Sequence, residues 1–363
     1  MNGNGRIKRV FPGGNTSKGF YSYYDQIIDS QTRKLWIIKG GPGVGKSSFM
    51  RKIGYDISKI GYDVEFHQCS SDYDSLDGIV IPDLKIAMID GTAPHIVDPK
   101  YPGAVDEILN FGQFWNEHGI QKHKDAIIRI SKETSQCFKR AYQFFAAAKL
   151  IRDDIYNIYG EALEKRKLDQ TLAKFKQNLF NHLDYNEEGK IRHLFGSAFT
   201  PKGYVDHYET ILEGMNTIYY IDGRYMDAMS EFIENIAYEA RTRGLNVEVY
   251  HEPLDEKNIQ TLIIPLLQVG ITIGDKYAHS YDEKIVFWDF MKKDILNQHE
   301  DILKEDQKIY EELIHTGILN IKRAKEKHDH LEKIYIEYMD FKKIDELRGN
   351  ILQKILNYAK VKE

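Results

Sequence analysis

Nine consecutive residues carry the clearest chemistry in this chain: Gly40, Gly41, Pro42, Gly43, Val44, Gly45, Lys46, Ser47 and Ser48, reading GGPGVGKSS. They satisfy G-x-x-x-x-G-K-[ST], the spacing of a phosphate-binding loop. In such a loop backbone N–H groups wrap a β-phosphate, the lysine bridges β- and γ-oxygens, and the hydroxyl after it ligates Mg²⁺. The glycines let the backbone approach the phosphates with no Cβ in the way, and Pro42 stiffens the turn. A nucleoside triphosphate, ATP with Mg²⁺, is the expected ligand.

Two acidic segments extend this reading. Residues 84–90, LKIAMID, form an apolar run ending in Asp90, as in a Walker B strand whose aspartate holds Mg²⁺ through water. Ser47 and Asp90 are therefore the expected metal residues, and the competing reading of Asp90 is a turn former before Gly91. The loop CSSDYDSLDG, residues 69–78, supplies Asp74 and Asp77 as candidates for a general base or an acceptor-binding group. Turn-forming Asp and Ser residues would produce the same composition. No glutamate follows Asp90, where many hydrolases place one to orient water, and a base from Asp72, Asp74 or Asp77 could compensate.

Elements that can position these residues are legible around them. Leu35, Trp36, Ile37 and Ile38 read as a buried parallel strand, and Phe49, Ile53, Ile57 and Ile60 recur at helical spacing until Gly61. The helix then aims its positive end at the phosphates. Further strands are expected over 62–67 and 84–90.

About 183 residues downstream the chain repeats itself. FPGGNTSKGFYSYYDQII (11–28) matches FGSAFTPKGYVDHYETIL (195–212), and Ile38, Gly40, Ser47, Phe49 and Ile53 fall on Ile221, Gly223, Ser230, Phe232 and Ile236. The second loop, GRYMDAMSEF, has Met229 in place of Lys46, Ala228 in place of Gly45 and Met226 in place of Gly43, while Ile273 replaces Asp90. Only the first half is expected to bind phosphate and metal. Residues kept in both halves are read as structural, those of the first alone as candidates for chemistry. On that basis His95, with His279 near the equivalent strand end, is read as structural. Arg224, standing where Gly41 stands, is a candidate arginine finger toward the first site, with solvated loop residue as the plainer reading.

The 363-residue chain is expected to form two domains, 1–190 and 191–363, joined near the polar stretch 184–190. Segments of about 104–182 and 283–359 are rich in Lys, Glu, Leu, Ile and Tyr and suit long helical hairpins. These pack within the fold or project as arms whose aromatic residues meet a protein partner. A net charge of −5 gives no basic excess for nucleic acid or an anionic membrane. Two cysteines are too few for a disulfide framework, no apolar leader follows MNGNGRIKR, and 262–274 is short and interrupted by Pro265, so a cytoplasmic protein without a membrane span is expected.

With GGPGVGKSS, CSSDYDSLDGIVIPDLKIAMIDGTAPH and VDPKYPGAVDEI (97–108), the chain resembles, over essentially its full length, a bacterial family of tandem P-loop proteins described as ATPases or nucleotide-binding proteins. The resemblance implies an α/β P-loop fold with a parallel sheet in each half. In similar proteins the second loop can itself be complete, and here it is degenerate. Three functions stay open on the sequence: an ATPase coupling nucleotide state to the arms or a partner, a small-molecule or nucleotide kinase, and a non-catalytic nucleotide-dependent interaction protein. No [NT]-K-x-D guanine-reading signature follows residue 90, which favours ATP over GTP.

Overall fold

The computed structural model describes residues 3–28, 31–93, 96–181, 187–274, 277 and 279–360. His95 lies outside them. Each half builds one six-stranded sheet. The first contains β1 (Ile7–Val10), β4 (Lys34–Lys39), β5 (Val64–Gln68), β6 (Leu76–Ile81), β7 (Ile86–Asp90) and β8 (Asp106–Asn110), in the order β1-β5-β6-β7-β4-β8. A small hairpin, β2 (Gly13–Thr16) with β3 (Gly19–Ser22), stands apart from it.

The second half repeats this plan with β9 (Ile191–Phe195), β12 (Thr217–Asp222), β13 (Val247–His251), β14 (Ile259–Ile264), β15 (Val269–Thr272) and β16 (Glu283–Val286), ordered β9-β13-β14-β15-β12-β16. Its own hairpin is β10 (Ser197–Thr200) with β11 (Gly203–Asp206). The expectation of parallel sheets needs correction. β6 runs antiparallel to both β5 and β7, and β14 likewise to β13 and β15, so each sheet is mixed with mostly parallel pairings. The stretch that hid β6 is the acidic loop: its last residues already belong to the strand, and Asp77 is a strand residue.

β4 forms because its apolar residues are covered on both faces; Leu35, Trp36, Ile37 and Ile38 are all buried. α1 (Lys46–Lys59) follows the glycine loop, buries Phe49, Met50, Ile53 and Ile57, and ends before Gly61, whose φ of +97° an L side chain rarely adopts. α5 (Tyr208–Leu212) precedes β12, and α6 (Met226–Thr242) is the counterpart of α1. Two expected helical segments begin with strands instead, since β8 and β16 lie inside 104–182 and 283–359.

The helical hairpins are exchanged between the halves. In the first, α2 (Glu117–Gln121) leads into α3 (Lys124–Ala162) and α4 (Lys165–Leu179); in the second, α7 (Lys293–Gln298) leads into α8 (Glu300–Ile336) and α9 (Phe341–Lys360). α3 and α8 pack antiparallel: Lys327 pairs with Glu133 at 2.6 Å near one end, Phe145 meets Gly317 midway, and Ile155 clusters with Leu303 near the other. They cross from one sheet to the other. Ile344, Ile351 and Ile355 of α9 complete the first half's core with Phe49 and Ile53, while Leu168 and Phe180, on and just beyond α4, complete the second half's core with Phe232 and Ile236.

The junction between the halves obeys the same pseudo-two-fold relation. Phe11 and Phe195 exchange backbone hydrogen bonds of 2.9 and 3.0 Å. Beside them Lys8 and Arg192 contact both Glu65 and Glu248, each residue being the counterpart of another across the repeat. Burial alone would raise the Glu65 carboxyl, yet Arg192 and Lys8 outweigh it and hold it well below the usual carboxylate range; Glu248 is lowered by the same two cations. Among the described residues no helix is long and apolar enough to cross a membrane.

Candidate functional site

The glycine loop takes the shape its spacing demands. Gly43 and Gly45 have φ of +70° and +90°, and Gly45 caps the N-terminus of α1 in the left-handed region. The Lys46 ammonium folds back over the loop, donating to the Gly40 carbonyl at 2.9 Å and the Gly41 carbonyl at 2.7 Å. Its third neighbour is Asp90, whose Oδ2 lies 3.5 Å away at the end of β7, the strand beside β4. The Lys46 and Asp90 side chains are only 11% and 19% exposed, so the pair sits in a shielded cleft. Asp90 Oδ1 also accepts from the backbone N–H of Thr92 at 2.9 Å.

Ser47 holds a second function. Its Oγ accepts the Leu76 N–H at 2.9 Å, and Ser230 accepts the Ile259 N–H at 2.8 Å in the half that has lost its loop chemistry. The hydroxyl therefore splices helix to strand in both halves. Val44 is fully buried in the core, while Ser48 is exposed at the first turn of α1.

Asp77 and Asp74 part company. The β6–β7 register pairs Gly78 with Ile89, which sets Asp77 next to Asp90, and in the second half these positions are Gln260 and Ile273. Burial pushes the Asp77 carboxyl up to about 7; Asp90 and Asp72 act in the same direction, while hydrogen bonds from Tyr24 and Cys69 oppose it. Asp74 does not join the site. Its side chain is 75% exposed and pairs with Lys202 of the second half's hairpin at 2.7 Å. Asp72 accepts from Ser75 and meets Lys325 of α8 at 3.5 Å, and Lys149 of α3 meets Asp255 at 3.0 Å in the same way, so Asp72 belongs to a clamp present in both halves.

Sequence reasoning missed the contribution of α8. The helix lies over the loop so closely that a β-carbon on Gly41 would sit 2.8 Å from the Tyr335 ring, and one on Gly43 would sit 2.7 Å from the Glu332 carbonyl oxygen. Phe341 approaches Gly45 in the same manner. Burial holds the Glu332 carboxyl above its ordinary range against the pull of His328, 3.6 Å away, and Lys325. These residues lie nearly 300 positions from the loop, and only the exchange of arms brings them there. The internal repeat was the available signal: α3 places Tyr159 where α8 places Tyr335, but Tyr156 where α8 places Glu332.

The degenerate half lacks the equivalent chemistry. Met229 is buried against Gly223, and Arg224 contacts Tyr159 of α3. Arg224 lines a cavity of ≈450 Å³ walled by Tyr156, Tyr159, Tyr208 and Tyr310, and none of residues 40–48 borders that cavity. The structure thus gives Arg224 a place at the second loop rather than a reach to the first. No group of three or more His, Cys, Asp or Glu among the described residues could hold a metal by itself. A cation at Asp90 and Ser47 would need further oxygens from phosphate and water, which suits Mg²⁺ bound with a nucleotide. Compared with known proteins, the chain matches no family model, no curated protein and no solved structure.

Proposed function

We propose that the protein binds Mg-ATP at the first half's loop and hydrolyses it, with the state of the nucleotide read by α8 and α9 of the second half. One observation carries this reading: the Lys46 ammonium, on the Gly40 and Gly41 carbonyls and 3.5 Å from Asp90, occupies a glycine loop at the end of a buried strand. A phosphate entering the loop offers that ammonium an anionic partner in place of neutral carbonyls, adding a charge–charge attraction that a carbonyl dipole lacks. The tandem P-loop family resembled by the sequence agrees with this reading.

Each side chain then has a task. Gly41, Gly43 and Gly45 present backbone N–H groups, and the N-terminus of α1 adds its dipole. Ser47 and Asp90 hold the Mg²⁺, which supplies neutralisation of phosphate charge when bound. Asp77, pushed up to about 7 by burial and so protonated below neutral pH, lessens the negative charge behind Asp90 there. Glu332, arriving from outside the loop, replaces the glutamate missing after Asp90 and orients the attacking water. Its carboxylate accepts the water's proton as the water oxygen bonds to the γ-phosphorus, while the bond to the β–γ bridging oxygen breaks and ADP leaves with that electron pair.

Following the γ-phosphate of labelled ATP with the purified protein tests this. Release as inorganic phosphate, abolished by Lys46→Ala, is the expected result. Transfer to an added metabolite would replace hydrolysis by kinase activity, and retention on ATP despite tight binding would leave a nucleotide-dependent interaction protein.

A further inference from the structure

A second feature shares Tyr335 with the same loop. Trp115, Tyr335, Ile120, Ile127 and Ile128, with Glu117 beside them, line a cavity of ≈390 Å³. Its walls are mostly aromatic and aliphatic, and its size lies in the range of small-molecule pockets, about 300–1,000 Å³. Trp115 and Tyr335 have ring centroids 6.0 Å apart at 55°, one ring from each half of the chain. The Tyr335 ring also lies against Gly41, so this one ring links the cavity to the loop, although none of residues 40–48 lines the cavity.

Two observations say what belongs there. The first is position. β4 carries the loop, β7 with Asp90 lies on one side of it, and β8, which leads to Trp115, lies on the other. A metal held at Asp90 marks the β- and γ-phosphates, and a cavity across the loop from Asp90 is left for the nucleoside end. The second is the internal comparison. In the other half Met291, Leu296 and Leu303 stand at the places of Trp115, Ile120 and Ile127, and they close on Tyr159, Ile155 and Trp288 as a packed apolar cluster. At those positions the second half packs side chain on side chain, and its own ≈450 Å³ cavity is lined by Ile155 and Tyr159 but by none of Met291, Leu296 and Leu303.

We infer that the Trp115–Tyr335 cavity seats the base of the nucleotide, stacked on aromatic rings from both halves. The inference rests on the nucleotide reading above and adds to it how the nucleoside is held. Stacking on an aromatic face discriminates little between bases, while Glu117 at the wall offers an acceptor to an exocyclic amine such as that of adenine.

Dissociation constants for Mg-ATP and for Mg-tripolyphosphate, which carries the phosphates without a base, measured on the wild type, Trp115→Leu and Trp115→Phe, test this. The wild type should bind ATP more tightly than tripolyphosphate. Trp115→Leu should weaken ATP ten-fold or more and leave tripolyphosphate unchanged, while Trp115→Phe, which keeps a ring, should recover most of the loss. ATP affinity unchanged in Trp115→Leu would overturn the inference while leaving phosphate binding intact; so would an equal loss for both ligands, which would mean a distorted loop. A wild type that binds neither ligand would remove the phosphate-loop reading and this inference with it.

Discussion

Glu332 of α8 and Gly43 of the glycine loop are separated by 289 positions in sequence and touch in space, with the Glu332 backbone occupying the room a side chain on Gly43 would need. Gly43→Ala therefore meets two obstacles, the Glu332 carbonyl oxygen at 2.7 Å and a φ of +70°. It should lift α8 from the loop and cost roughly 1–3 kcal/mol, the range for a non-glycine residue held in a sparsely populated backbone region. Chemical denaturation measures this, and an unchanged unfolding midpoint would mean that α8 does not rest on the loop in solution.

Glu332→Gln keeps the shape of the side chain and removes its charge. Turnover should fall ten-fold or more with little change in ATP affinity, because general acid–base groups typically contribute about 10²–10⁴ in rate. Steady-state hydrolysis and equilibrium binding on the same preparation separate the two effects. Equal turnover in variant and wild type would return the water-orienting role to another group.

Lys46→Ala should abolish tight binding of triphosphate, and Asp90→Asn should damage turnover and Mg²⁺ dependence more than binding. Met229→Lys should restore nothing, since Ala228 and Met226 still stand where a phosphate loop needs glycine. Thermal shifts with Mg-ATP check all three; strong stabilisation of Lys46→Ala by ATP would contradict the central assignment.

Asp77 gives the molecule a pH dependence of definite sign. Its carboxyl moves from 3.8 to about 7 on folding, so between those values the folded chain binds more protons than the unfolded one. Stability contributed by the neutral form is present below about pH 4 and is lost as pH rises toward 7. Asp77→Asn removes the ionisation. Relative to wild type the variant should gain up to about 4 kcal/mol between pH 4 and pH 8, because a ten-fold change in proton affinity is worth about 1.36 kcal/mol. Urea unfolding at the two pH values reads the difference, and a constant gap between the proteins would show that Asp77 titrates normally.

At the junction, Arg192→Ala leaves Glu65 and Glu248 buried with Lys8 as the cation facing both, beside His67 and the Tyr250 hydroxyl. Removing one member of such a cluster costs about 3–5 kcal/mol. Both carboxyls have lowered values in the folded chain, so the stability they contribute is present above their ordinary value of 4.5 and disappears as pH falls through the folded ones. The Arg192→Ala penalty should therefore shrink under acid conditions. A penalty below about 1 kcal/mol at neutral pH would mark the cluster as a solvated surface network.

The loop, its strand and its helix were legible because the signal is local: a fixed spacing of glycines, lysine and serine between an apolar run and a helical period. The repeat was legible for the same reason, one half being readable against the other. β6 was not, because LDGIVI follows directly on a turn-rich acidic segment and its pairing with β5 and β7 reverses the direction expected of a parallel sheet. Asp74 and Asp77, three positions apart, looked alike in sequence; strand pairing buries one beside Asp90 and leaves the other with Lys202. Glu332 and Tyr335 were visible only as parts of an amphipathic helix. Their place at the loop depends on which sheet that helix covers, and periodicity within a helix carries no such information.

The exchange of arms also fixes the order in which this protein can be completed during synthesis. The first sheet, with its loop and Asp90, is translated early, yet its core waits for Ile344, Ile351 and Ile355. At about 5–20 residues per second, the ribosome holds that sheet half-covered for roughly ten to fifty seconds while the second half is made. Nascent chains arrested before residue 340 should consequently be cut by protease in residues 34–90 and fail to retain ATP, and both properties should change together once α9 has emerged.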